Sequence, residues 1–397
     1  MKVLFIAPQP FFVERGTPIR ARHQIEVLSR MGHRVDVLCY PFGQPVDLPG
    51  VRVLRTFRPP GLRQVAIGPS LAKFPMDFLL LCKAFGLCLW NRYDVIQAVE
   101  EAAFFAVPLK KLFRCRLIYN MDSFISDQLQ FSGFVRARPV IRLVEGLERA
   151  AMRNASYVVT VGPVLSDVVR RWAPRTKVLQ LEDAPLEASF REAPEDARRI
   201  REEFALGAAP VCVYTGNFER YQGVADLVRA AGLVARQRPE ARFLFAGGTE
   251  AQVAEMRRLA DEAGAGSACV FAGRRPTAEM TAFLNVADLL ATPRNQGTNP
   301  PMKIYGYMQS GRPIVSTRVP THTQVLDDSC AFLADPTPEG LAGGILAALG
   351  DPDRARAVAR AARARVEQRY SLEIFREKVR AAYAGLEAEI RAGRGAA

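Results

Sequence analysis

Residues 288–317 read DLLATPRNQGTNPPMKIYGYMQSGRPIVST and contain the pattern that decides the fold. The aliphatic run DLLAT predicts a strand, and the polar loop after it leads into a helical pattern that begins near Pro300 or Pro301. Gly311 and Pro313 predict the end of that helix, and the run PIVST predicts a second strand. A strand, a helix and a strand in this order indicate a parallel β-α-β unit.

The same alternation of aliphatic runs and helical patterns continues on both sides of this segment. KVLFIA, RVDVLCY, DVIQA and RLIYN read as strands in the first half, and VCVYTG, RFLFAGG and ACVFAGR in the second. Thr17 is the expected N-cap of the first helix. An acidic, irregular stretch, residues 182–195, separates the halves. We therefore predict an α/β protein with two domains whose strand ends face a shared crevice.

Composition limits the class of protein and of partner. The chain has 397 residues, of which 49% are apolar and 24% charged, as is typical of a soluble protein with two or three domains. Disordered, collagen-like and disulfide-scaffold classes are excluded. The net charge of +13 favours polyanions, anionic lipids or phosphorylated ligands as partners. No basic stripe with interleaved aromatic residues is present, so we expect no nucleic-acid binding.

The spacing of the cysteines and the most apolar segment indicate in which cellular compartment the protein is expected. The seven cysteines form no CxxC pair and no zinc-like cluster, so we expect reduced thiols in a cytoplasmic protein. The stretch FPMDFLLLCKAFGLCLW, residues 74–90, contains Asp77 and Lys83 and is too short to span a bilayer. We expect this helix to be buried against the sheet. A peripheral contact with the inner face of a membrane is the alternative, since basic residues flank it.

The loop of the opening segment suits a phosphate or diphosphate. Backbone amides at a helix N-terminus attract anions, and Lys303 would lie in the first helical turn. A lysine there opposes the helix dipole unless it serves a bound anion. A polar loop with a solvent-reaching lysine is the alternative reading. The candidate donor-binding residues of this loop are Arg294, Gly297, Thr298, Asn299 and Pro300.

Glycine-containing turns at other strand ends add candidate positions. Glycine allows a ligand to approach the backbone closely, although tight packing explains each turn equally well. Several such turns that enter one crevice favour ligand binding over packing alone. The positions are Gly16 and Thr17 in the first half, and Gly216, Asn217, Gly248 and Arg275 in the second.

Few side chains are suited to acid or base chemistry. Asp122 follows the strand RLIYN and either lines the crevice or caps the next helix. Glu100 and Glu101 are either cleft carboxylates or acids at a helix start. His322 follows a strand end, where the crevice and solvent are equally good surroundings. No Asp-x-Asp pair stands at a strand end, so we predict no metal and no other cofactor.

The segments YTGNFERYQG, AGG, FAG and PRNQGTNPPMKIYGYMQSGRPIVST resemble the retaining glycosyltransferases of family four, which have the GT-B fold. The first 38 residues resemble the opening strand, glycine loop and helix of that family, so the likeness covers nearly the whole chain. It implies two Rossmann-like α/β/α domains facing across a cleft. Residues 1–190 would form the acceptor-side domain, residues 196–370 the nucleotide-sugar domain, and residues 371–392 a helix that crosses back to the first domain. The resemblance also implies a nucleotide-diphosphate-sugar donor and no metal.

The resemblance places particular residues at the donor. Gly16 and Gly216 match glycines near the diphosphate, and Asn299, Pro300 and Lys303, with Thr298 beside them, match the phosphate-facing loop and helix start. Arg294, Arg220 and Arg275 are the further cations that could meet the diphosphate charge.

Three departures from the family pattern affect these assignments. Asn217 and Gln222 stand where the family usually has arginine and lysine, and Gly306 stands where it has the carboxylate that holds the ribose. Asp122 stands where many members have a histidine in the acceptor cleft.

The predicted activity is a metal-independent, retaining transfer of a hexose or similar sugar to a cell-envelope, polysaccharide or lipid-linked acceptor. Lys303 and backbone amides would stabilise the leaving diphosphate, whose oxygen would accept the acceptor's proton. Asp122 is the catalytic candidate on the acceptor side. A sugar-nucleotide epimerase and a catalytically silent binding protein are the alternatives.

Overall fold

The computed structural model describes residues 1–13, 16–62, 70, 73–131, 135, 137–297 and 299–395. The chain divides into two compact units. One unit comprises Met1–Asp183 and Glu373–Ala397, and the other comprises Ala184–Leu372. Each unit is built on one parallel sheet with helices on both faces, which confirms the predicted α/β class with two Rossmann-like sheets.

The first unit has a seven-stranded sheet in the order β3-β2-β1-β4-β5-β6-β7. Its strands are β1 (Lys2–Pro10), β2 (Arg34–Tyr40), β3 (Val51–Arg55), β4 (Val95–Val99), β5 (Arg116–Met121), β6 (Tyr157–Thr160) and β7 (Lys177–Gln180). Its helices are α1 (Gly16–Arg30), α2 (Lys73–Trp90), α3 (Ala102–Phe113), α4 (Ile125–Phe131), α5 (Arg138–Asn154), α6 (Pro163–Trp172) and, at the end of the chain, α15 (Leu372–Gly395).

Both faces of this sheet are covered. Alternating side chains of one strand point to opposite faces, so Ile96 and Ala98 of β4 pack into the core beneath α2, α3, α5 and α6. Gln97, between them, points to the other face, where it bonds to Gln24 of α1 and accepts from Tyr383 of α15. Helix α1 already contains Thr17, so the prediction of Thr17 as its N-cap is wrong.

The second unit has a six-stranded sheet in the order β10-β9-β8-β11-β12-β13. Its strands are β8 (Val211–Thr215), β9 (Arg242–Ala246), β10 (Cys269–Gly273), β11 (Leu289–Thr292), β12 (Ile314–Thr317) and β13 (Phe332–Ala334). Its helices are α7 (Pro194–Glu203), α8 (Val224–Ala235), α9 (Glu250–Glu262), α10 (Met280–Val286), α11 (Lys303–Ser310), α12 (Pro320–Thr323), α13 (Pro338–Gly350) and α14 (Pro352–Arg369).

Helix α11 begins later than the sequence suggests. The predicted start at Pro300 or Pro301 is wrong, because the helix begins at Lys303 after the N-cap Met302. A proline disfavours helical backbone in the residue before it, so Pro301 keeps Pro300 out of the helix. Lys303 is therefore the first helical residue, next to the strand edge, and the helix ends at Gly311 with φ of 67°.

Helix α2 is apolar on two sides. Met76, Leu80 and Ala84 are fully buried in the core, but the side chains of Phe78 and Trp90 on the outer side are 63% and 88% exposed. The expectation that this helix is buried is therefore wrong for its outer half. No helix among the described residues is long and apolar enough to cross a membrane.

Parallel strands bring their carboxyl ends to one edge of a sheet, where loops can form a site. In the second unit the turn after β8 is closed by Gly223, which has φ of 67°. A Cβ atom there would collide with the carbonyl oxygen of Pro293, at the start of the loop after β11. Gly223 thus permits close approach between two loops at this edge.

We expect Gly223→Ala to destabilise the protein more than Gly264→Ala. Both glycines have positive φ, 67° and 68°, so each alanine has a backbone cost of about 1 kcal/mol. Only Gly223 meets a backbone atom, whereas Gly264 has nothing within 4 Å. Urea unfolding of both variants measures the difference, and equal losses would show that the loop contact adds nothing.

Candidate functional site

The ammonium group of Lys303 is a half-buried cation at the strand edge of the second unit. Its Nζ lies 3.9 Å from the centroid of the Tyr214 ring and 3.3 Å from Oε1 of Gln222. Within the part of the chain that the structure describes, no carboxylate pairs with it. Burial lowers the pKa of Lys303 well below its usual value, and the charge of Arg294 lowers it further. An uncompensated cation of this kind attracts an anionic ligand.

Gly216 makes the position of Lys303 possible. It follows β8 with φ of 138°, and a Cβ atom there would lie 2.6 Å from Nζ of Lys303. The backbone of Gly247, at the end of β9, packs directly against the carbonyl of Gly216. Any other residue at 216 would push the lysine away, so two residues predicted from separate motifs form one site.

Arg294 organises the loop between β11 and α11. Its side chain is buried, with Nε donating to the Gln296 carbonyl at 2.7 Å and Nη1 to the Asn299 carbonyl at 3.2 Å. The guanidinium also lies 5.1 Å from the centroid of the Tyr221 ring. Arg294 therefore holds its own loop in shape, which sequence reasoning did not foresee. Thr298, in the same loop, lies outside the described residues.

Asp122 lies at the strand edge of the first unit, directly after β5. Oδ1 of Asp122 is 3.7 Å from Nε of Arg20, and Nη1 of Arg20 donates to Asp183 at 3.2 Å. All three side chains are largely buried. Burial raises the pKa of Asp122, while Arg20 and Thr17 counteract the rise. Gly16 and Thr17 form the first turn of α1 in this unit.

Further acids share this edge. Ser123 donates its hydroxyl to both carboxylate oxygens of Glu100, at 2.9 and 3.0 Å. Burial raises the pKa of Glu100 well above its usual value, and Asp122 and Glu101 raise it further. Glu100 has φ of 50°, in the left-handed region that residues other than glycine seldom adopt. The side chain of Glu100 is half-buried, and its role as a cleft carboxylate stays a prediction. The described residues contain no group of three metal-binding side chains.

Comparison with protein-family models identifies the chain. The model described as "Glycosyl transferases group 1" matches residues 209–351, and the model described as "Glycosyl transferase 4-like domain" matches residues 15–182. The chain belongs to the group 1 glycosyltransferases. It is thus a transferase with the GT-B fold, and the two family matches lie in different structural units.

Two curated proteins and one crystallised protein resemble this glycosyltransferase. A D-inositol 3-phosphate glycosyltransferase of Corynebacterium urealyticum is 24% identical over 370 residues, 87% of this chain and 84% of that protein. A GDP-mannose-dependent alpha-(1-6)-phosphatidylinositol monomannoside mannosyltransferase of Mycolicibacterium smegmatis is 28% identical over 182 residues. That match covers 44% of this chain and 47%, about half, of the relative. Anabaena HepE in complex with UDP superimposes with a TM-score of 0.74 at 18% identity over 97% of this chain and 100% of its own, a shared fold.

The other predicted donor residues of the glycosyltransferase have different surroundings. Arg275 pairs with Glu203 and Glu279, so its charge is already compensated. Arg220 is exposed, and Asn217 accepts the Tyr214 hydroxyl through its carbonyl at 2.7 Å. The donor roles of these residues stay predictions.

Three predicted positions remain. Gly248, with φ of 79°, packs against the Phe218 ring, 2.6 Å from where a Cβ atom would lie. Gly297, with φ of 117°, packs against the Arg294 side chain. Pro300 is buried beside the loop. Packing accounts for these residues without a ligand, and their donor roles also stay predictions.

We expect Asp77→Asn to stabilise the glycosyltransferase strongly at pH 8 and much less at pH 4. Burial and the charge of Glu101 raise the pKa of Asp77 from 3.8 to about 7. The folded protein therefore binds a proton that the unfolded chain lacks between about pH 4 and 7, so wild-type stability falls as the pH rises through this window. Asparagine removes the charge and still accepts the hydroxyl of Tyr40, which donates to Asp77 at 2.6 Å.

Thermal unfolding of wild type and variant at both pH values is the measurement. Asp47→Asn, at an exposed carboxylate of the same unit, is the matched control and should change neither midpoint. An Asp77→Asn variant that is less stable than wild type at pH 8 would contradict the argument.

Proposed function

We propose that this glycosyltransferase moves a sugar from a nucleotide-diphosphate sugar, with retention at the anomeric carbon, to a lipid-linked or polysaccharide acceptor of the cell envelope. The observation that carries the donor proposal is the ammonium group of Lys303, which is half-buried beside Gly216 and has no carboxylate partner among the described residues. The complexes of HepE with UDP and with UDP-glucose support the same ligand class.

Lys303 stabilises the leaving group in the proposed mechanism. As the bond between the anomeric carbon and the diphosphate oxygen breaks, negative charge accumulates on the diphosphate. The acceptor oxygen bonds to the anomeric carbon on the same face, and its proton passes to the departing phosphate oxygen. Binding of the diphosphate raises the pKa of Lys303 and so favours its protonated state, because an opposite charge stabilises the ammonium form.

The proposed transfer needs no metal. Lys303 supplies a positive charge at the strand edge, and the backbone amides at the start of α11 supply further donors. A chelator such as EDTA should therefore leave the rate of transfer unchanged.

The proposed acceptor site uses the acidic edge of the first unit. Asp122 is buried and Oδ1 lacks a hydrogen-bond donor among the described residues, so a hydroxyl of the acceptor can donate to it. Nε of Arg20 lies 3.7 Å from the same oxygen, so its charge also favours the ionised carboxylate. The names of the two curated relatives refer to an inositol phosphate and a phosphatidylinositol mannoside, which supports a polyhydroxylated acceptor.

We expect Lys303→Met to lower affinity for UDP, and transfer from UDP-glucose, by at least about tenfold, the size of one lost charge-assisted contact. The same substitution should raise the thermal midpoint of the ligand-free protein, because it removes a desolvated charge that has no carboxylate partner. Calorimetry with UDP, GDP and ADP measures the affinities and identifies the preferred base.

Arg257→Met is the matched control, because it removes one positive charge from an exposed position of the same unit. It should bind the nucleotides as the wild type does. If Lys303→Met bound them unchanged, Lys303 would have no part in donor binding.

We also propose that helix α2 contacts an anionic membrane surface, where a lipid-linked acceptor would be found. Phe74, Phe78, Cys82, Phe85 and Leu89 are exposed and spaced by three or four residues, so they share the outer face of the helix. Such an apolar face can enter the headgroup region of a bilayer.

The distribution of charge supports anionic lipid as the partner. Residues 1–183 contain 26 lysines and arginines but 15 aspartates and glutamates, so they supply 11 of the 13 net positive charges of the chain. Exposed Arg92, Lys111 and Arg114 lie near the C-terminal ends of α2 and α3 in sequence. Basic residues beside an apolar face are attracted to anionic headgroups.

Replacing both Phe74 and Phe78 with serine should lower binding to vesicles of phosphatidylglycerol and phosphatidylcholine by more than about tenfold, since each buried phenylalanine contributes roughly 2 kcal/mol. Vesicle sedimentation is the measurement. Leu186→Ser, at an exposed apolar residue of the other unit, should bind as the wild type does. Binding that is unaffected by the double substitution would exclude α2 as the contact.

A further inference from the structure

His322 lies beneath the loop that precedes α11. It belongs to α12, directly after β12, and its side chain is fully buried. Nε2 lies 3.0 Å from Oγ1 of Thr292, and Nδ1 lies 2.9 Å from the carbonyl oxygen of Thr317. These threonines are the last residues of β11 and β12, so one imidazole joins the ends of two neighbouring strands.

The partners of the ring determine where its proton lies. The Thr317 carbonyl can only accept, so Nδ1 carries the hydrogen. Burial, followed by the charges of Arg294 and Lys303, lowers the pKa of His322 to about 3 although the Thr317 carbonyl opposes the change, so the ring is neutral. In a neutral ring Nε2 must then accept, and the hydroxyl of Thr292 donates to it.

The same chain of hydrogen bonds reaches the loop. The hydroxyl of Thr317 lies 3.0 Å from Nδ1 of His322 and donates to the carbonyl oxygen of Arg294. Arg294 in turn holds the carbonyls of Gln296 and Asn299 through its guanidinium. Hydrogen bonds therefore connect Thr292, through His322 and Thr317, to the loop that ends at Lys303.

We propose that His322 and Thr317 are positioning residues that hold Arg294, and through it the carbonyls of Gln296 and Asn299, in a donor-binding shape before the donor arrives. The inference rests on the proposed donor site, because it assigns that loop to the nucleotide diphosphate. Ordering a loop during binding reduces affinity, and a loop that is ordered beforehand avoids this cost. A neutral histidine serves here because it bridges a donor and an acceptor without adding charge beneath the site.

Thr321 provides a matched control in the same segment. It is fully buried next to His322, and its Oγ1 has no hydrogen-bond partner among the described residues. Thr317→Val and Thr321→Val thus remove the same hydroxyl with nearly the same change of shape. Only the first substitution removes a bond to the loop. Thr317→Ser keeps that hydroxyl and tests for rescue.

Calorimetry with UDP, together with thermal unfolding, tests the proposal on the full chain. We expect Thr317→Val to weaken UDP binding by about three- to tenfold, the effect of one buried hydrogen bond. Thr317→Ser and Thr321→Val should bind UDP as the wild type does. If Thr317→Val lowered the thermal midpoint but left the Kd for UDP and the KM for UDP-glucose unchanged, the role of Thr317 would be structural only and the proposal would be overturned.

Hydrogen exchange without nucleotide separates this inference from the proposed function. We expect faster amide exchange in residues 294–297 of Thr317→Val than in wild type, and wild-type exchange in Thr321→Val. Equal exchange in all three proteins would overturn the positioning role whatever ligand binds. Failure of the wild type to bind UDP, GDP or ADP would refute the donor site, while faster exchange in Thr317→Val would still support the ordering of the loop.

Discussion

The proposed function of this glycosyltransferase depends on the half-buried ammonium group of Lys303, which has no ion-pair partner among the described residues. It contacts an aromatic face and an amide oxygen, and no carboxylate of the described chain neutralises it. Such a cation destabilises the ligand-free protein, and a diphosphate would reverse that cost. The lysine can occupy this position only because residue 216 has no side chain. The proposed donor site therefore depends on the glycine after β8.

Basic side chains lie at the strand edge of the second unit, and carboxyl groups lie at the strand edge of the first. In the second unit Lys303 and Arg294 lie near the edge, and the pKa of Lys303 is lowered. In the first unit the carboxyl groups Glu100, Asp122 and Asp183 have raised pKa values, that of Asp183 being about 6. A cationic edge suits phosphates and a carboxyl-rich edge suits hydroxyl groups. The proposed donor and acceptor sites therefore both lie at the carboxyl ends of parallel strands.

Local patterns in the sequence were sufficient to predict the fold. The alternation of aliphatic runs with helical segments predicts parallel sheets, because each strand and helix has its own periodicity. The contact between Gly216 and Lys303 could also be predicted, because Gly216 follows a predicted strand and Lys303 lies near the start of a predicted helix. The start of α11 was misjudged by a few residues because the effect of consecutive prolines on the backbone was not weighed.

Other features depend on contacts between residues far apart in the chain. Arg275 faces Glu203, 72 residues away, which removes the free charge that the sequence suggests. The inward turn of Arg294 and the burial of His322 follow from the packing of β11, β12 and α12. The exposed outer face of α2 was also missed, because an apolar composition does not show how much of a helix its neighbours cover.

A crystal structure of the protein with bound UDP tests the central claim most directly. The account predicts a phosphate oxygen within hydrogen-bond distance, about 3 Å, of both Lys303 Nζ and the backbone at Gly216. In that complex the ammonium group would have turned from Gln222 to the phosphate. UDP bound at another place, with Lys303 still directed at Gln222, would contradict the account.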